Sequence, residues 1–456
     1  MTEPPGGPMQ ADLAQLTEAA LEAARRAGAD AADVIAIDGT STNIDVRGGA
    51  LEQAERSEGV DLGLRVLLGQ RQASVSVSET SAGAITMMAE RAVAMAREAP
   101  EDPYCGLANP ADLATEWDIA ALELFDPTPE PAPADLQEDA RRAEAAAQSI
   151  TGVTQVQAAS AGYSSRRVHL AASNGFSGGY SRTDRATSCV AISGEGTGME
   201  RDYASEVRIF SDDLPDPESI GTLAGARAVA RAGARKPPTG AFPVLYDERI
   251  SSGLIGHVLQ ATNGAAIARG SSWLRDRMGE TILPKGLSIT ENPLRPRASG
   301  SRPFDAEGLP TQVRDIVAEG VLQGWTLDLA SARKLGLTST ANAARGTSGP
   351  PSPSLTNVAL TQGDQSLDDL IAQMGTGLWA TSLIGSSINA TTGDYSRGAS
   401  GFWVENGEVQ YPVNECTIAG NLHEMIASII PANDARTHLS RVVPSLLIEG
   451  LTLAGE

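Results

Sequence analysis

The strongest constraint on the fold is an alternation of period two. Val60, Leu62, Leu64, Val66 and Leu68 share one parity, and Ala73, Val75 and Val77 repeat the pattern with serines between them. Successive side chains of a strand point to opposite faces, so such a run buries one face and wets the other. One-sided burial is the mark of antiparallel sheet, and the apolar face needs a cover. Asp12–Ala27 supplies one, with Leu13, Leu16, Ala20 and Ala24 along one stripe and Gly28 placed to end the helix. A second helix is expected from about Ser81 to Glu98. The fold class is therefore α+β, with largely antiparallel sheets and segregated helices.

A chain of 456 residues exceeds one ordinary domain. Composition divides it into three modules. Residues 1–11 are expected to be a disordered tail without the features of a signal peptide. Residues 12–100 form an N-terminal α+β module, and 101–133, rich in proline and acid, read as a linker. Residues 134–236 form a middle α+β module, with helices near 135–149 and 219–232 and a turn at Asn174-Gly175. RKPPTG, Arg235–Gly240, marks the next boundary. Residues 237–456 form a strand-rich C-terminal module that opens with the strand FPVLYD. Within it, Asn406-Gly407 lies between Trp403–Glu405 and Glu408–Tyr411, a hairpin signal because a type I′ turn needs positive φ at both central residues.

The formal net charge is −22, and the arginines are scattered. Such a chain repels phosphate backbones, so nucleic acid is excluded as a partner. Cys105, Cys189 and Cys416 are far apart and lack a CxxC spacing, which points to reduced thiols in the cytoplasm. No run is long and apolar enough for a membrane span. Two motifs are decoys. Gly175-Phe176-Ser177-Gly178-Gly179 fits Gly-x-Ser-x-Gly, but the run Gly178–Ser193 reads as turn and strand instead of helix. His423-Glu424 begins like His-Glu-x-x-His, yet Ala427 stands where the second imidazole belongs.

The most telling segment is Ser251–Arg269, SSGLIGHVLQATNGAAIAR. With Arg47–Arg71, Ser445–Gly455 and above all Thr392–Gly420 (TGDYSRGASGFWVENGEVQYPVNECTIAG), it resembles the TldD/PmbA family over nearly the whole chain. The catalytic members carry His-Glu-x-x-x-His ahead of a similar Gly- and Ala-rich run. On that motif the first His falls on Ser252, the Glu on Gly253 and the last His on His257. The family's third ligand is a Cys near the C-terminus, and the corresponding Asp434–Val443 has none. A zinc peptidase needs about three protein ligands and a carboxylate base. The resemblance therefore implies the non-catalytic PmbA (TldE) branch: no catalytic residue and no metal in this chain, with zinc on a TldD-like partner.

His257 has two readings, a leftover polar group at a subunit interface or an imidazole bonded to a backbone carbonyl in a packed helix, and the second is favoured. Gly393, Asp394, Tyr395, Ser396, Arg397 and Gly398 form a candidate peptide or subunit contact, with an Asp394–Arg397 turn pair as the structural alternative. The expected function is to help form a cleft for short or unfolded peptides in proteolysis and leader trimming. The alternatives are a self-contained hydrolase, using an unrecognised metal site or Ser177, and a homodimeric peptide-binding protein.

Overall fold

The computed structural model describes residues 12–455, so the expected tail lies outside the described residues. Helix α1 (Leu13–Ala27) is capped by the Asp12 carboxylate at one end and by Gly28, in the left-handed region, at the other. Strands β1 (Ala31–Arg47), β2 (Ala50–Leu68) and β3 (Arg71–Val77) come next, then helix α2 (Ala82–Glu98). The alternation appears directly in the register, where Leu62, Leu64 and Val66 pair with Val77, Val75 and Ala73. Helix α3 (Pro133–Gln148), strands β4 (Val153–Ala172), β5 (Ser177–Ser193) and β6 (Glu200–Arg208), and helix α4 (Pro217–Ala230) complete the middle segment.

The first two modules share one antiparallel sheet of order β3-β2-β1-β4-β5-β6, because β1 pairs with β4 from Asp33↔Ala172 to Val46↔Ala159. Along β1 the even residues Ala32, Val34 and Ala36 pack on α1 and α2, and Ile44 and Val46 pack on α3. The odd residues Ile35 and Ile37 face the other way, into a cluster with Trp117, Phe176 and Phe304. One face thus carries the helices and the other receives the C-terminal module.

The segment 101–133, expected to be a linker, does connect the two modules, and it is packed along its length. Ala108, Ala114, Leu122 and Leu124 are buried, and the Trp117 ring lies 5.0 Å from that of Phe304. Prolines break regular structure there, but the apolar residues between them are spaced widely enough to pin the segment between sheet and C-terminal module. A second tie is ionic. Arg345, in the polar loop Arg345–Ser354, reaches across to Asp33, which also holds Arg65. The backbone of Thr347 comes so close to Gly63 that a Cβ there would lie 2.2 Å from its carbonyl oxygen.

The C-terminal module is built on strands β7 (Gly240–Tyr246), β8 (Gly377–Ile388), β9 (Asp394–Glu405), β10 (Glu408–Asn421) and β11 (Leu446–Ala454), in the order β10-β9-β8-β7-β11. Pairing of β10 with β11 closes this sheet into a small barrel. The β9–β10 turn has positive φ at both Asn406 and Gly407, as its sequence requires. Helix α5 (Glu248–Ala261) comes directly after β7. It puts Leu254, Ile255 and Val258 into one core with Tyr246, Tyr395 and Trp403 of the barrel.

Candidate functional site

A cleft of about 1000 Å³ opens where the start of β6 meets α5 and the barrel strands β8, β9 and β10. Three bulges converge on it. Thr381 is an extra residue of β8 between the pairs Ala380↔Gly401 and Ser382↔Ser400. Gly385 and Ser386 of β8 stand opposite Arg397 alone. Asn414 and Glu415 of β10 stand opposite Ser400, with Glu415 at φ 50°. Bulges interrupt the ladder and re-aim side chains, and they gather beside functional clefts.

Much of the cleft's charge is internally compensated. Arg231 lies 3.5 Å from Glu200 and 3.6 Å from Asp202, and it donates to Ser400 Oγ at 2.8 Å. Arg249 lies 3.1 Å from Asp202 and 2.9 Å from Asp247. Burial works against the Arg249 cation, but Asp247 and Asp202 outweigh it and raise its pKa. Cys416, on the same wall, donates its thiol to the Ala399 carbonyl, and burial pushes its pKa up to about 11. It stays a protonated thiol, poor as ligand or nucleophile.

Ser252 and Gly253 line this cleft, on an uninterrupted helix. A Cβ added at Gly253 would meet nothing within 4 Å. Space for a longer side chain is therefore present where the aligned glutamate would stand. His257 lies five residues beyond Ser252, about 140° around a regular helix, and is directed to Tyr395, with ring centroids 5.9 Å apart. Its Nε2 is buried without a hydrogen bond, so that nitrogen does not hold the expected backbone carbonyl. Burial, helped by the Arg397 cation, lowers the His257 pKa and keeps the ring neutral. The segment that lacks the Cys does run beside the start of α5: Ser251 Oγ lies 3.3 Å from the Val443 carbonyl, and Arg436 lies 2.9 Å from Glu248.

The 393–398 run divides. Asp394 and Arg397 do not form the turn pair that was the structural alternative, because residues three apart in a strand face opposite sides. Asp394 instead binds Thr392 Oγ1 at 2.6 Å and Asn421 Nδ2 at 3.1 Å. Arg397 Nε donates to the Gly385 carbonyl at 2.7 Å and lines the cleft. Tyr395 is buried, with its hydroxyl 3.4 Å from that of Tyr246. Gly393 has φ 79° beside His423, and a Cβ at Gly398 would strike Ile384, so these two shape the hairpin and line no part of the cleft. Ser396 pairs with Ser387 across the β8–β9 ladder and is likewise outside the cleft.

Sequence reasoning did not single out Arg231, Arg249, Glu200, Asp202 or Thr381. They come from four separate elements, β6, the end of α4, α5 and β8, and no local spacing links them. It also passed over His169. Ser177 opens strand β5 with no helix after it, yet its Oγ lies 3.4 Å from His169 Nε2. Thr17 Oγ1 donates to the Ala14 carbonyl, so it accepts from His169 Nδ1 at 2.9 Å. That leaves the imidazole without a carboxylate behind it, and the pair lies outside the cleft lining. His423 sits on a short helix, Leu422–Ala427, against Trp273.

Comparison with known proteins agrees along the whole chain. The PmbA/TldA metallopeptidase domain 1 matches residues 32–96, the central domain 126–234 and the C-terminal domain 239–455. Metalloprotease PmbA of Escherichia coli O157:H7 is 37% identical over 429 residues, 94% of this chain and 93% of the relative. A crystal structure from Bacteroides thetaiotaomicron, of a protein named as a modulator of DNA gyrase, superposes with a TM-score of 0.88 at 28% identity, covering 97% of this chain and 98% of that one. TldE from Thermococcus kodakarensis shares the fold, with a TM-score of 0.84 at 20% identity over 96% of this chain and all of that one. With the three domains in family order and a relative of this identity and coverage, the chain belongs to the PmbA/TldD metallopeptidase family.

Proposed function

We propose that this chain is the non-catalytic, PmbA-type subunit of a TldD-like zinc metallopeptidase, and that its cleft helps to receive short or unfolded peptides for proteolysis and leader trimming. The observation that carries this reading is an emptied motif on an intact scaffold. Helix α5 borders the cleft, yet Ser252 offers a hydroxyl, Gly253 no side chain, and His257 turns toward Tyr395. This donor set does not fit zinc, which takes about three nitrogen, sulfur or carboxylate ligands. Among the described residues no three His, Cys, Asp or Glu side chains converge as a metal site would need. Zinc and the catalytic carboxylate belong to the partner, and this chain contributes wall and architecture. The bulged barrel strands suit capture of an extended peptide. The proposed setting is the cytoplasm, where the three free thiols stay reduced; among the described residues no helix is long and apolar enough to cross a membrane.

The test is a peptide-cleavage assay on this chain, on a TldD-like protein and on their mixture. Cleavage is expected from the mixture, and it should vanish when the partner's motif glutamate is replaced. His257→Ala here should leave it in place. Cleavage by this chain alone, or its loss in His257→Ala without loss of assembly, would move the active site here.

A further inference from the structure

We propose that Arg397 is the anion-recognition point of the cleft and takes a carboxylate of a bound peptide. The inference rests on the reading that the cleft receives peptides and adds to it the group that is read. Arg231 and Arg249 are each committed to two carboxylates. Of the cleft's acids, Glu200 and Asp202 are matched by these arginines, and Glu415 lies 3.9 Å from Lys236. Arg201 is exposed on β6 and reaches Gln157 at 3.4 Å. Arg397 differs. Its Nε is anchored on the Gly385 carbonyl, displaced from the ladder by the bulge facing it, and among the described residues it has no carboxylate within ion-pair distance. The fixed Nε leaves the two terminal nitrogens for a ligand.

The cleft also offers a hydroxyl donor. Ser400 Oγ accepts from Arg231 and keeps its own proton free to donate. One uncommitted guanidinium in a cleft that also offers a hydroxyl suits a planar monoanion, which an arginine can grip with two parallel bonds. A dianionic phosphate would call for more than one uncommitted cation. The carboxylate has two sources, the peptide's C-terminus or an acidic side chain.

The two are separated by fluorescence anisotropy with an N-terminally labelled octapeptide of Ala, Gly and Leu in three forms: free acid, C-terminal amide, and amide with one internal Glu. The free acid should bind the wild-type chain about tenfold or more tighter than the plain amide, as a charge-assisted pair implies. That ratio should fall to about one in Arg397→Gln and be partly kept in Arg397→Lys, since lysine cannot grip bidentately. Recovery of affinity by the internal Glu would assign the site to acidic side chains. Equal affinity for all three forms would overturn the proposal and leave the peptide cleft standing. Absence of binding by every form would overturn both. Unchanged peptide ratios with weaker association of a TldD-like partner in Arg397→Gln would assign the guanidinium to a partner carboxylate and also defeat the proposal.

Discussion

Replacing Asp33 with Asn tests how the C-terminal module is locked to the sheet. Asp33 is 2% exposed and is shared by two cations, Arg65 with Nε at 2.8 Å and Arg345 from the far module. Asparagine keeps the shape and removes the charge, leaving two buried guanidinium groups. Breaking a buried ion pair by removing one partner costs about 3–5 kcal/mol. Each arginine keeps a neutral contact, Arg65 to Gln72 Oε1 at 3.2 Å and Arg345 to the Gly63 carbonyl at 3.1 Å. The expected cost is therefore at the lower end, about 3 kcal/mol. For a unit the size of the shared sheet that is a fall in melting midpoint of about 6 °C or more. The assay is thermal unfolding followed by circular dichroism, with Arg141→Gln as control, because that arginine pairs with Glu138 on the open surface of α3. pH adds a sign. Burial pushes the Asp33 pKa up, but Arg65 and Arg345 outweigh it and hold it below the ordinary value. Its contribution is therefore present above the unfolded value of about 4 and lost as pH falls through the lower folded one. A midpoint for Asp33→Asn within a degree or so of the control would refute the argument and mean that the loop is not docked in solution.

Gly253→Glu should fold and gain about 0.5 kcal/mol from helix propensity, because its Cβ enters open space. Elemental analysis should still find far less than one zinc per chain, and a stoichiometric metal would contradict the donor argument. Ser177→Ala should leave cleavage by the assembled enzyme unchanged, and loss of activity with the fold intact would revive a serine mechanism through His169. The His257 ring should titrate, by NMR, below its ordinary value of about 6.5, since burial and Arg397 lower it. A histidine held neutral in the fold costs stability as pH drops below the unfolded value, so His257→Phe should flatten the stability profile there; an unchanged profile would show the ring to be solvated. Gly63→Ala should destabilise the docked loop, because the new Cβ would meet the Thr347 backbone; an unchanged melting midpoint would argue against that close approach.

What the amino-acid order determined by itself is local. Period-two runs set the strands, Asp12 and Gly28 bounded α1, and Asn406-Gly407 made its turn, since each depends on neighbours in the chain. That Ser252 and Gly253 stand where the aligned motif has a His and a Glu was equally legible, because one helix carries both together with His257. Tertiary structure decided the rest. Nothing in the spacing of Asp33, Arg65 and Arg345 announces that they share one buried site, as long-range ion pairs arise from packing and leave no periodic trace. The same holds for residues 101–133, whose composition reads as linker while their apolar side chains fill a seam. Asp394 and Arg397 look like a pair in sequence, and the strand's pleat sends them to opposite faces. The cleft exists only because bulges in β8 and β10 meet the start of β6 and the start of α5, segments up to about two hundred residues apart in the chain.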